Sequence, residues 1–114
     1  MEDLQCIIID EVTRFSIDWQ AWGFKTNIDM YERDWTVSKH RPILHMLLEK
    51  DENCIHIDVY LDCNSLSLGL IPSRNSNIHV SCIPTEDTDT KIYNYLSEDL
   101  INRFKNLDIL NVVH

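Results

Sequence analysis

The stretch Cys54–Asp62 leaves this chain few alternatives. Ile55, Ile57, Val59 and Leu61 are apolar, and His56, Asp58 and Asp62 fall between them. Alternation at period two sends successive side chains to opposite sides of the backbone, as a strand with one dry and one wet face requires. Ser65–Leu70 repeats the pattern with Leu66, Leu68 and Leu70, and Asn77–Cys82 repeats it with Ile78, Val80 and Cys82. Ile43–Leu48 is apolar on both sides apart from His45, which suits a better covered strand.

The turns between these runs agree on one register. Closing a hairpin over the polar cluster Lys50–Asn53 places Leu48 beside Ile55, Met46 beside Ile57 and Leu44 beside Val59. A one-residue slip would send all of these to the other face. A turn over Asp62–Ser65 pairs Leu61 with Leu66 and Val59 with Leu68, and a turn through Pro72–Asn75 pairs Leu68 with Val80. The expectation is an antiparallel four-stranded meander over about residues 43–83.

Two helices are expected to cover its apolar face. Leu4, Ile8, Val12, Phe15, Trp19 and Trp22 recur at steps of four or three, the stripe of an amphipathic helix, with Gly23 as its stop. Against this, Ile7, Ile8, Ile9, Val12 and Thr13 are β-branched, so a strand over Leu4–Ile9 and a short helix from Ser16 form the rival reading. Thr26, Ile28 and Met30 alternate as a short strand would. After the meander, Pro84–Thr90 reads as a polar loop. Ser97, followed by Glu98 and Asp99, reads as a helix cap, and Leu100, Ile101, Phe104 and Leu107 give one face to a helix from about Glu98 to Asn106. Ile109–Val113 reads as an apolar tail or strand. The sum is an α+β fold in two layers, the sheet backed by an N-terminal and a C-terminal helix.

A chain of 114 residues with 44% hydrophobic content suits a single compact domain, 1–114. No apolar run has transmembrane length and no basic, apolar leader is visible, so a cytoplasmic protein without membrane contact is expected. A net charge of −9 disfavours nucleic acid as a partner and suits a basic protein, although acidity also serves solubility alone. Cys6, Cys54, Cys63 and Cys82 contain no close pair of the zinc-binding kind, so free buried thiols and no metal or cofactor are expected.

Three groups of residues are candidates for function. The meander register aligns His45, Asp58, Gly69 and His79 across the wet face, with the small glycine between Asp58 and His79. Such a row has the parts of an acid–base or metal site. The plain alternative is a solvated sheet face. Trp22 and Trp35 are aromatic candidates for a contact surface, since tryptophan dominates binding hot spots. Asp51, Glu52 and Asp62 in the first hairpin, with Glu86, Asp87 and Asp89 after the last strand, suit the arginines and lysines of a cationic partner. No phosphate-binding loop, zinc-protease helix or nucleophile elbow is present, so no catalytic residue is expected. These features point to a small acidic inhibitor that binds a basic protein, as an immunity protein covers the active site of a nuclease-like toxin domain. A small enzyme or metal-dependent module built on His45, Asp58 and His79, and an assembly subunit working through a sheet edge or the Trp22–Trp35 region, are the alternatives.

Overall fold

The computed structural model describes residues 4–30, 42–62 and 76–113. Helix α1 spans Leu4–Ala21 and buries Leu4, Ile8, Val12, Phe15 and Trp19. β-branching costs a helix only a few tenths of a kcal/mol per residue, roughly, whereas burying a large apolar side chain yields about 1.5–3 kcal/mol. The stripe therefore prevails over local propensity, and Leu4–Ile9 is helical. Trp22, expected on that stripe, lies past the helix end and is exposed. Cys6, expected to be buried, is exposed on this helix.

The stop at Gly23 has a specific form. Gly23 takes φ +97°, its N–H donates to Gln20 O, and the Phe24 N–H reaches back to Trp19 O. This is a Schellman cap, and its accompanying apolar contact is the edge-to-face packing of Trp19 on Phe24, with ring centroids 5.4 Å apart.

The cap turns the chain into β1 (Lys25–Met30), which is followed by β2 (Leu44–Lys50), β3 (Asn53–Asp62), β4 (Ser76–Pro84), α2 (Thr90–Asn106) and β5 (Leu110–Val113). These strands form one five-stranded sheet in chain order. The β1–β2, β2–β3 and β3–β4 pairs are antiparallel, and β5 runs parallel to β4 across the α2 crossover. The fold is α+β, with a mostly antiparallel sheet.

The β2–β3 hairpin has the register read from the sequence: Leu48 faces Ile55, Met46 faces Ile57, Leu44 faces Val59 and His45 faces Asp58. Its two-residue turn puts Asp51 at φ 54°, a left-handed conformation that aspartate tolerates better than most residues. Beyond β3 the sheet still runs as an antiparallel meander to β4, but the strand beside β3 is not the expected one. Residues 65–70 lie outside the described residues, but the place beside β3 assigned to them is held by β4, with Leu61 opposite Ile78, Val59 opposite Val80 and Ile57 opposite Cys82. Both runs alternate with the same parity. Parity fixes which face a side chain takes and leaves open which strand lies alongside.

The second correction concerns α2. It starts at Thr90, well before Glu98, and is capped by Asp89, whose side chain accepts from the N–H groups of Lys91 and Ile92. Ser97 lies inside the helix, its hydroxyl donating to Asn94 O. Leu96, Leu100 and Phe104 are buried, extending the apolar stripe upstream of the segment expected to be helical.

Both helices lie on the apolar face of the sheet, over Leu44, Leu48, Ile55, Ile57, Val59, Leu61 and Ile78. Arg103 fastens α2 to α1. It donates to Asp99 on its own helix at 3.1 Å and to Asp18 on α1 at 2.6 Å. Burial works against its charge, but the hydrogen bonds and charges of Asp18 and Asp99 outweigh burial and raise its pKa above the usual arginine value. Among the described residues no helix is long and apolar enough to cross a membrane.

Candidate functional site

The face of the sheet opposite the helices carries the polar candidates. His45 on β2 and Asp58 on β3 are directly opposed, and His45 Nδ1 hydrogen-bonds Asp58 Oδ1. The rest of the expected row is different. Asp58 faces Ser81 on β4, and His79 faces Tyr60. His79 is therefore a diagonal neighbour of Asp58, roughly 7–8 Å away by strand geometry. Gly69, the expected gap between them, lies outside the described residues. On the other side of His45 the register brings Asp29 of β1, so the row reads Asp29, His45, Asp58, Ser81. It borders a shallow concavity of about 560 Å³ that Asn27, Leu47 and His56 also line. Among the described residues no three His, Cys, Asp or Glu side chains are grouped to hold a metal ion.

The acidic candidates divide between two ends of the sheet. Asp62 closes β3 opposite Asn77, and β3 carries it roughly 30 Å from the first hairpin turn at about 3.3 Å per residue. The others gather at the hairpin end, where two turns are tied together. The Thr88 hydroxyl accepts from Cys54 N–H and donates to Cys54 O, each at 3.0 Å. The Thr85 N–H also donates to Cys54 O, and the Asp89 N–H donates to Asn53 Oδ1 at 2.8 Å. These bonds hold the Glu86–Asp87 turn against the Asp51–Glu52 turn, and all four acids are exposed. Asp89 is occupied as the cap of α2.

Trp22 belongs to the same end. The Lys50 ammonium, one residue before the acidic turn, donates to Trp22 O at 2.7 Å. Trp22 is 67% exposed, and Tyr95 on the first turns of α2 is 66% exposed. Trp35 lies outside the described residues.

Between these aromatics is a cavity of about 430 Å³. Its floor is Trp19 and Phe24, both buried. Its wall and rim are Ile92, Trp22, Tyr95, Lys50 and Lys91. The Trp19 ring is fixed by its N–H bond to Asp99 Oδ2 at 2.9 Å and by edge contact with Tyr95 at 5.7 Å. The sequence reading missed Tyr95, Ile92 and both lysines. Tyr95 and Ile92 were hidden by the late helix start. Continuing the Leu100–Phe104 face backward by steps of four, through Leu96, would have reached Ile92, and Tyr95 lies three residues on from it.

No protein-family model matches the chain, and no curated protein or solved structure matches it.

Proposed function

We propose that this chain is a protein-binding inhibitor that contacts a basic partner through the hairpin end of its sheet, in the manner of an immunity protein covering the active site of a toxin domain. One observation carries the reading: two exposed acidic turns, Asp51–Glu52 and Glu86–Asp87, are hydrogen-bonded into one unit, and an exposed tryptophan is tied to the same hairpin through Lys50. Carboxylates at the same end of the sheet as an aromatic anchor suit a cationic groove. The acids steer the approach, and the ring supplies the desolvated contact that slows release. Asp89 and Asp62 drop out of this surface, the first because it caps α2 and the second because it lies at the far end of β3.

The test is binding kinetics against the product of the adjacent gene. Glu86→Lys with Asp87→Lys should lower the association rate about tenfold at low salt, since steering of this kind is electrostatic. Asp51 is changed to Asn, which keeps a side chain suited to its positive φ. Trp22→Ala should mainly raise the dissociation rate. A failure of that product to bind, or rates insensitive to salt and to these substitutions, would remove the proposal.

A further inference from the structure

We infer that the cavity between α1, α2 and the β2–β3 hairpin is a ligand site for a small planar aromatic carboxylate. It does not depend on the protein-binding reading, because a free ligand suffices to test it.

Shape and stiffness come first. About 430 Å³ lies within the usual range of small-ligand sites, roughly 300–1,000 Å³. Its floor cannot readily collapse. Trp19 is packed at 5.4 Å on Phe24 and at 5.7 Å on Tyr95, and its N–H is already bonded to Asp99. Phe24 is held by the Schellman cap. Two rings at the mouth, Trp22 and Tyr95, are each about two-thirds exposed, 67% and 66%. Large aromatics left this wet beside an apolar floor suit a flat apolar group.

Charge then selects the ligand. The cations lining the cavity are Lys50 and Lys91, on a chain with net charge −9. Lys50 is positioned: its ammonium donates to Trp22 O at 2.7 Å and sits 5.9 Å from the Phe24 ring centroid. An ammonium has three donors, so two remain to meet a carboxylate. Asp18 and Asp99, on the neighbouring α1–α2 side, are paired with Arg103. Salt at about 0.1 M, where the screening length is about 10 Å, weakens the field of the exposed acids in the adjacent turns more than a direct lysine contact.

The experiment uses 2-naphthoate and its cationic counterpart of similar shape, 2-naphthylmethylamine, each titrated into the protein at about 0.1 M salt and followed by the tryptophan indole N–H and backbone amide resonances. Naphthoate should give saturable shifts at the Trp19 and Trp22 indoles and at Phe24 and Ile92. It should bind at least about fivefold more tightly than the amine, as one close charge contact in water allows. Lys91→Ala with Lys50→Met should erase that difference while leaving the spectrum that of a folded protein. The inference is overturned if naphthoate produces no saturable shift or shifts scattered over the whole molecule. It is equally overturned if anion and cation bind alike, or if the preference survives the double substitution.

Discussion

At Gly23 one residue decides where α1 ends and how Trp19 and Phe24 meet. Its φ of +97° is open to glycine, and an added Cβ would come 3.3 Å from Lys50 Cε. Gly23→Ala should cost about 1–2 kcal/mol, the usual penalty for a side chain in left-handed backbone, read as a lower urea midpoint at unchanged slope. Cys82 offers a second test at this scale. Burial pushes its thiol up to about 11 from the ordinary 9.0. The folded state therefore favours the protonated form. The stabilisation is complete below pH 9 and is lost as pH rises through about 11. The stability of the wild type relative to Cys82→Ala should fall over that window, and urea unfolding across it measures the change. A constant difference would place the thiol in water.

At the scale of single elements, caps and stripes explain both what could be read and what could not. The hairpin register was legible because a polar two-residue turn and period-two alternation point to the same pairing of Leu48 with Ile55. Helix α1 was legible because its stripe is strong enough to override β-branched residues. The start of α2 was misread because Ser97-Glu98-Asp99 has the composition of a cap, while the working cap, Asp89, sits in a run of polar residues that resembles a loop. Substitution separates the two. Asp89→Ala removes an acceptor from two backbone N–H groups and should cost about 1 kcal/mol. Ser97→Ala, inside the helix, should stay within about 0.5 kcal/mol. Thermal or urea unfolding of the pair distinguishes them directly.

For the whole molecule, what the sequence lacked was adjacency. Alternation correctly placed Ile55, Ile57, Val59 and Leu61 in the core. It could not say that β4 rather than residues 65–70 lies against β3, and so it misaligned His79 with Asp58. The acids illustrate the same limit. Nothing local in the sequence shows that Thr88 and Asn53 tie the turn bearing Glu86 to the turn bearing Asp51. That union depends on hydrogen bonds between residues some 34–36 positions apart.

The parallel pairing of β4 with β5 governs the order in which the chain assembles. The β2–β3 hairpin closes over a two-residue turn, so its contacts form at little entropic cost, whereas Ser76 meets Leu110 only after α2 has been placed between them. β5 should therefore dock after the rate-limiting step. Val112→Ala, expected to cost about 1 kcal/mol from its half-buried site, should accelerate unfolding and leave the folding rate nearly unchanged, a φ-value near zero in a chevron analysis. Until that last docking, β4 presents a bare edge to solution. Refolding yield should accordingly fall as protein concentration rises, through an intermediate in which a second chain takes the place reserved for β5.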